Sequence, residues 1–381
     1  MSSKKVSVKK GGGRYYYLDI LDYLTNEKKF LIFILLSFIL AAISVNIGQM
    51  AMWVGFGFAA YSAVANDSIQ SLGTFIESNR KKKWWVLWLF IGTIFLVTVS
   101  ASWIIFDGDV TYQRLINEQN ESKYPHPEQF SFFQVIAPLV LLILTRLRMP
   151  VSTTFLLLSV FSSTSSGITS MVIKSMSGYG IAFILSFVIW YGLYEVIKRF
   201  FKQRKNSPLW TIVQWLISGS LWAVWLMQDG ANIAVYLPRR LDIWEFIVFA
   251  SVIFIGLGIL FYLRGDKIQK VVSEKARISD VRAATLVDFS YVLLLIYKLF
   301  ISTIPLSTTW VFLGIIGGRE IAISLARKKS GLKHKKKAAF MMFRDLAYAL
   351  IGLIISVALA SGANPSIQKE IYTFFSGIFH F

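Results

Sequence analysis

The chain has no cysteine and only three histidines among its 381 residues. Without cysteine, disulfides, thiol chemistry and thiolate metal sites are excluded. The histidines are His126, His334 and His380, and all lie in polar connections or at the C-terminal end. We therefore expect no buried histidine cluster and no transition-metal site. No nucleophile–base pair is visible inside an apolar segment either, so an enzyme is not expected.

Acidic residues are scarce, with 21 Asp and Glu against 40 Lys and Arg, and the formal net charge is +19. In a soluble chain such a charge would suggest nucleic acid as a partner. Here the basic residues stand in short runs between apolar segments, which indicates membrane topology instead. We expect the lipid bilayer as the partner and no nucleic acid.

Apolar residues make up 55% of the chain and come in long uncharged runs. Soluble domains are typically about 45–50% apolar on a comparable count. The short alternating segments of a membrane β-barrel are missing from the pattern. The sequence therefore predicts an all-α membrane protein, since helices satisfy their own backbone groups in lipid.

About eleven apolar segments are long enough to span a membrane. Their approximate bounds are 30–48, 50–78, 84–106, 130–147, 150–173, 179–197, 209–238, 243–264, 285–303, 305–326 and 340–361. We divide the chain into a basic cytoplasmic tail (1–29), a first repeat (30–173), a second repeat (179–326) and an extra C-terminal helix (340–361). Whether the motif-bearing segments span fully or are broken or re-entrant stays open.

Basic clusters test this count, because cytoplasmic loops carry an excess of Lys and Arg. With the N-terminus cytoplasmic, strict alternation puts nearly every basic cluster inside and the acidic connection 107–129 outside. Only Lys174 and the pair Arg239–Arg240 fall on the wrong side. Five segments per repeat make the two repeats inverted, as in many secondary transporters. The expected location is the plasma (inner) membrane, with the C-terminus outside.

Polar residues inside the second segment of each repeat form the first motif. Ala65-Asn66-Asp67 in the first repeat has a counterpart in Gly230-Ala231-Asn232 of the second. An aspartate at membrane depth is expensive and is interpreted by default as functional. Asn66, Asp67 and Asn232 supply hard oxygens for a small cation, especially if a broken helix adds backbone carbonyls. The alternative, an aspartate in a surface turn, is weak because Asp67 lies about 20 Å of helix from Lys81.

Hydroxyl residues form the second motif, Pro-x-Ser-Thr-Thr, which also occurs once in each repeat. Proline suits the first turn of a helix, and hydroxyls with free amides there make a donor-rich cup for an anion. The alternative is that these hydroxyls bond back to their own helix or pack small against a neighbour. Duplication favours the anion site. The candidate residues are Ser152, Thr153, Thr154, Ser307, Thr308 and Thr309.

Other acidic residues also lie within apolar segments. Asp229 lies one helical turn before Ile233 and could take part in a cation site. Asp288 opens the segment before the second hydroxyl motif. For Glu320 and Asp345, local pairing with neighbouring arginines is the expected role.

Together these motifs resemble the inorganic phosphate transporter (PiT) family, which includes phosphate/sulfate permeases. The resemblance extends over 45–325, and the stretch from Ser302 to Gly318 is the most similar. It implies secondary transport of phosphate driven by sodium or protons, with Asn66, Asp67, Asn232 and both Ser-Thr-Thr triplets lining the sites. One position departs from the family, since Ile233 stands where a second motif aspartate belongs. Either a cation site is lost, or Asp229 takes over part of the role.

The sequence therefore favours a phosphate symporter coupled to sodium or protons, working by alternating access without a cofactor. Sulfate on the same scaffold is the nearest alternative, because loss of one acceptor carboxylate weakens the preference for a protonated anion. A membrane receptor or scaffold that senses the anion is the alternative from another class. A homodimer is compatible with a two-repeat transporter.

Overall fold

The computed structural model describes residues 27–116, 124–147, 149–162, 165–196, 199, 208–263, 280–301, 307–326 and 332–379. Within these ranges the chain forms helices and no β-strand. The predicted all-α class is confirmed for them. Pro305, most of the tail 1–29 and most of the basic connections lie outside the described residues.

Eleven α-helices are described, and we number them in chain order. They are α1 (Lys28–Ser44), α2 (Gln49–Ser78), α3 (Trp84–Ile105), α4 (Phe132–Arg146), α5 (Ser165–Gly192), α6 (Pro208–Ala234), α7 (Ile243–Tyr262), α8 (Val281–Ile301), α9 (Thr308–Ala326), α10 (Leu332–Ala363) and α11 (Pro365–Phe379). A π-helical turn (Thr154–Leu158) and a 3-10 turn (Ser159–Phe161) lie between α4 and α5.

Six of the described helices are long and apolar enough to cross a membrane. They are α3, α5, α6, α7, α9 and the part of α10 from Ala339 to Ala363. Their outward faces carry exposed apolar side chains such as Ile104, Ile184 and Ile354, as expected for helices that contact lipid. The chain is a multi-pass helical membrane protein. The full count of eleven segments and the inversion of the repeats stay predictions.

The region predicted as two segments, 150–173 and 179–197, is built differently. Its first part is the pair of π and 3-10 turns, and α5 then runs without a break through 174–178, where we placed the connection between repeats. The reason is close packing against α9: a Cβ on Gly314 would lie 2.5 Å from the Tyr179 carbonyl oxygen, and one on Gly318 2.3 Å from that of Phe183. Membrane helices associate through small residues, because these allow the two backbones to approach closely. Lys174 thus belongs to a helix and not to a loop.

The motif-bearing helices α2 and α6 are continuous through Asn66, Asp67 and Asn232. Of the forms that the sequence left open, the broken helix is not adopted at these positions, so no unwound carbonyls are available there for a cation. The irregular backbone lies instead at 149–152, ahead of the first hydroxyl helix. There the Val151 carbonyl oxygen accepts hydrogen bonds from side chains of both repeats, Asn66 Nδ2 and Thr309 Oγ1, each at 3.3 Å.

The C-terminal region contains one helix more than predicted. After α10, Asn364 caps α11: its side-chain oxygen accepts from the Ser366 amide at 2.9 Å, and Pro365 takes the first helical position. The Asn364 amide also donates to the Ser162 carbonyl at 2.9 Å. This contact ties the end of α10 to the turn that precedes α5.

Candidate functional site

The first residue of each Ser-Thr-Thr triplet caps the helical segment that follows it. Ser152 Oγ accepts from the Phe155 amide at 3.1 Å, and Ser307 Oγ accepts from the Trp310 amide at 3.3 Å. Both bonds join a side chain to the amide three residues later, the usual geometry of a helix N-cap. The two triplets therefore share a local structure as well as a sequence.

Asp67 is the centre of the first polar cluster. Its Oδ1 accepts from Thr153 Oγ1 at 2.6 Å and from Asn66 Nδ2 at 2.8 Å. Asn66 Nδ2 also lies 2.9 Å from Thr153 Oγ1. This cluster joins the middle of α2 to the start of the first hydroxyl segment.

Two residues that the motifs did not identify orient Asn66. Its side-chain oxygen accepts from Gln70 Nε2 on the same helix and from Thr145 Oγ1 on α4, both at 3.3 Å. These bonds turn the amide so that its Nδ2 faces Asp67 and Thr153. Gln70 follows Asn66 by one turn, a spacing that could have been recognised in the sequence.

Asp229 is the centre of the second cluster, on α6. Its Oδ2 accepts a hydrogen bond from Thr308 Oγ1, and its Oδ1 accepts from Thr154 Oγ1 at 3.4 Å. Asn232 Nδ2 donates to Thr154 Oγ1 at 3.3 Å. Thr154 of the first triplet therefore contacts the second cluster, just as Thr309 of the second contacts the Val151 carbonyl of the first.

All ten predicted site residues come together in this way. Each is buried, with no more than 3% of its surface exposed: Asn66, Asp67, Ser152, Thr153, Thr154, Asp229, Asn232, Ser307, Thr308 and Thr309. Ile233, by contrast, packs in the hydrophobic core. Asp229 pairs with Thr308 as Asp67 pairs with Thr153, so the second triplet has a carboxylate partner one turn from the expected position.

Two buried acceptors of the site have no hydrogen-bond partner within the part of the chain that the structure describes. They are Asp67 Oδ2 and Asn232 Oδ1. An unpaired buried oxygen is costly and calls for an explanation, such as a bound ion or ligand. Both atoms are acceptors, so they suit a cation or a ligand that carries a proton to donate.

The connection between α3 and α4 forms a structured turn that lies against α6. Asp109 organises it, because its carboxylate accepts from the backbone amides of Thr111 at 2.8 Å and Gln113 at 2.5 Å. Tyr112 and Gln113 have φ values of 51° and 59°. Non-glycine residues seldom adopt this region, and such strain persists where the surrounding structure imposes it.

Arg114 follows this turn and is buried, with 4% of its surface exposed. The Val110 carbonyl oxygen lies 3.9 Å from the Cβ position of Gly230, so the turn lies against α6 beside Asp229. Burial lowers the pKa of the Arg114 guanidinium, while the nearby Asp229 carboxylate acts to raise it. From the sequence, Arg114 was only one of the few basic residues in an acidic loop. The structure places its positive charge near the site.

Arg239 and Arg240, which strict alternation put on the wrong side of the membrane, both bind to the acidic connection 107–129. Arg240 forms an ion pair with Asp107 at 2.8 Å, and Arg239 donates two hydrogen bonds to the Tyr124 carbonyl. Burial lowers the pKa of Arg239 to about 10, and Asp109 acts to raise it. Local partners thus account for basic residues where loop topology predicted none.

Two of the remaining charges pair locally, as predicted. Glu320 pairs with Arg319 at 2.6 Å, and Asp345 pairs with Arg344 at 3.5 Å. Asp288 is different, because it is buried among hydroxyl groups away from both clusters.

Fold and site together define a multi-pass helical membrane protein with a buried polar site of hydroxyls, amides and carboxylates. A solved structure described as "The sodium-dependent phosphate transporter" has a similar fold, with a TM-score of 0.51 and 16% sequence identity. The similarity covers 84% of this chain and 98% of that chain. No protein-family model and no curated protein matches the chain. The chain therefore shares the fold of a membrane transporter.

Proposed function

We propose that this protein is a secondary active transporter that imports inorganic phosphate together with a cation, and that it is not an enzyme. One observation carries the proposal: two hydroxyl helix starts, far apart in sequence, converge with Asp67 and Asp229 in one buried site. The similar fold of the sodium-dependent phosphate transporter supports it.

Threonine hydroxyls are the proposed ligands of the anion. Thr153, Thr154, Thr308 and Thr309 now donate to carboxylates or to a carbonyl within the protein. Each can rotate its hydroxyl toward an anion oxygen, and amides at a helix start add further donors. Ser152 and Ser307 hold these helix starts in place as caps.

The unpaired acceptors favour phosphate over sulfate. At neutral pH phosphate carries protons that it can donate, for instance to Asp67 Oδ2, and sulfate carries none. A site built to accept such a bond discriminates against a ligand that lacks it. Sulfate remains the second candidate, because Ile233 removes one acceptor carboxylate of the family pattern.

The cation is proposed to bind at the oxygens of Asn66, Asp67, Asp229 and Asn232, where carboxylates and amides supply hard ligands. It neutralises part of the negative charge that the two carboxylates present to an anion. Sodium and the proton are the candidate coupling ions.

Two inverted repeats, 30–173 and 179–326, are the proposed framework. The matching serine caps and the matching pairs Asp67–Thr153 and Asp229–Thr308 support an equivalence of the two motifs. Rocking of one repeat against the other would expose the site to either side in turn. We propose the plasma membrane as location, a cytoplasmic N-terminus, an external C-terminus and a homodimer as assembly.

Arg114 is proposed to attract the anion toward the site. We expect Arg114→Gln to raise the KM for phosphate by about tenfold and to change the maximal rate little. Loss of a charge–charge contact of this kind weakens the binding free energy by about 1.4 kcal/mol. Arg240→Gln is the control, because Arg240 is exposed and paired with Asp107. Equal effects of the two variants, measured as initial uptake rates, would contradict this role.

Uptake of labelled phosphate into proteoliposomes tests the function itself. We expect saturable uptake that requires an inward sodium or proton gradient and resists excess sulfate. Transport of sulfate, or inhibition by it, would refute the specificity while leaving a transporter. A folded protein that binds phosphate but moves neither anion would instead be the receptor of the alternative hypothesis.

A further inference from the structure

A third carboxylate, Asp288 on α8, is buried away from the anion site and takes no part in the contacts described there. Its Oδ1 accepts from Thr74 Oγ1 of α2 at 2.5 Å, and its Oδ2 accepts from Ser218 Oγ of α6 at 2.6 Å. All three residues are buried, with 1%, 2% and 0% exposure for Asp288, Thr74 and Ser218. Hydroxyl–carboxylate distances this short are typical of charge-assisted bonds.

We propose that Asp288 is a proton-binding site, held between α2, α6 and α8, whose protonation is coupled to phosphate import. This inference rests on the proposed function and adds a second ion site, specific for a proton, to the cation site proposed at the two motifs. An ionisable residue at membrane depth is typical of proton relays in transporters.

The surrounding backbone favours a proton over sodium. Sodium sites in transporters draw on carbonyls of unwound helix segments. Here α2, α6 and α8 are continuous through Thr74, Ser218 and Asp288, so their carbonyls are engaged in helical hydrogen bonds. The cluster thus offers one carboxylate and two hydroxyls, which is a small ligand set for a metal ion.

Both protonation states of Asp288 can be hydrogen-bonded in this cluster. As a carboxylate it accepts from both hydroxyls. As a neutral acid it donates to one hydroxyl oxygen, for example that of Thr74, which can turn its own hydrogen to the carbonyl four residues earlier. Binding and release of a proton therefore need only a change of hydroxyl orientation.

Charged and titratable groups on the helices packed around α8 could compete for this role. They are Asp67 and Glu77 on α2, Asp229 on α6, Lys174, Tyr179 and Tyr191 on α5, Arg319 and Glu320 on α9, and Arg282, Tyr291 and Tyr297 on α8 itself. Glu77 pairs with Arg80, Arg319 with Glu320, and Arg282 with Asp280. These pairs leave Asp67 and Asp229 as the competing carboxylates, and both of them contact the hydroxyl triplets of the anion site.

Three helices link Asp288 to the anion site. Thr74 follows Asp67 on α2 by seven residues, about 10 Å along the axis. On α8, Tyr291 lies one turn from Asp288, and its hydroxyl donates to the Thr308 carbonyl at 3.0 Å. On α6, Ser218 shares its helix with Asp229. Charge on Asp288 therefore repels an anion at the site, and protonation relieves this repulsion.

Asp288→Asn separates this proposal from the proposed function, because the amide imitates a permanently protonated acid. In proteoliposomes we expect exchange of phosphate for phosphate, which needs no net proton movement, to persist within about twofold. Accumulation of phosphate driven by an inward pH gradient should fall about tenfold or more. A change of this size lies within the usual range of coupling between two binding sites. Ser220→Ala is a control on α6, since Ser220 is exposed and bonds only to its own helix.

Gradient-driven accumulation by Asp288→Asn at the wild-type level would overturn the proposal, as would loss of exchange and accumulation together in a folded variant. Thr74→Val and Ser218→Ala give a second test. Each removes a donor to the carboxylate and should move the pH of half-maximal uptake upward. An unchanged pH dependence in both would also overturn it.

Infrared difference spectra of the purified wild type across pH provide a readout that does not depend on transport. One band of a protonated carboxyl should vanish in Asp288→Asn and persist in Asp67→Asn. Carboxyl bands in Asp288→Asn identical to those of the wild type would overturn the proposal. Absence of phosphate exchange in the wild type would instead refute the proposed function.

Discussion

Asp67→Asn is expected to reduce phosphate uptake by about 10²-fold. The change removes a buried carboxylate that accepts two hydrogen bonds, and each such bond contributes about 1.5–3 kcal/mol when the acceptor is charged. The new amide can keep an oxygen toward Thr153 Oγ1 and Asn66 Nδ2, but these two donors then lose their charged acceptor. It also removes the unpaired Oδ2 that we propose as acceptor for the phosphate proton. Initial rates in proteoliposomes measure the effect.

Asp107→Asn is the matched control for this change. Asp107 is exposed, and its ion pair with Arg240 is of a kind that contributes about 0–1 kcal/mol. We expect uptake near the wild-type rate and an unchanged melting temperature. If Asp67→Asn transports as well as Asp107→Asn, the carboxylate of Asp67 has no part in the transport site.

Asp229→Asn should have an effect of similar size, about 10²-fold, if Asp229 takes the place of the missing motif aspartate. Asp229 joins Thr154 and Thr308, one from each hydroxyl triplet, so its carboxylate bridges the two motifs. The amide of asparagine would keep one acceptor oxygen and lose the charge that can hold a cation. Uptake across a range of sodium and proton concentrations would show the loss.

Ile233→Val is the control one turn away on the same helix. Ile233 packs in the core, so its truncation should lower the free energy of unfolding by about 0.5–1.5 kcal/mol and leave uptake unchanged. A loss of uptake in Ile233→Val as large as that in Asp229→Asn would mean that the site depends on packing at this turn and not on the Asp229 carboxylate.

The site residues could be predicted because their chemistry is repeated along the chain. One Ser-Thr-Thr triplet is weak evidence of an anion site, since hydroxyls commonly bond within their own helix. Two triplets, each preceded in the chain by an asparagine inside an apolar run, indicate a shared role. The i, i+4 relation also placed Asp229 on the same face as Ile233 before its contacts were known.

The backbone around the triplets could not be predicted in the same way. Hydropathy gives one apolar run from Pro150 onward, whereas the structure breaks it into irregular chain, a π turn and a 3-10 turn before α5 begins. Continuity of α5 depends on contacts with Gly314 and Gly318, which are more than 130 residues away in sequence. Local pattern carries no information about such a partner.

Arg114 and Asp288 show a second limit. Arg114 stands in a polar connection, and its burial follows from the turn that Asp109 organises. The composition of the connection does not reveal this turn. Asp288 was visible as a charge in an apolar segment, but its partners Thr74 and Ser218 come from two other helices. Both are known only once the helices are packed.

Phosphate binding to purified Thr153→Val, Thr308→Val and the double variant tests most directly whether one anion is held by both hydroxyl helix starts. Valine keeps the shape of threonine and removes only its hydroxyl. We predict that each single variant weakens phosphate binding by about fivefold to tenfold, as expected for loss of one hydrogen bond of about 1–1.5 kcal/mol. The double variant should weaken binding further. Unchanged binding in either single variant would contradict a site shared by the two motifs.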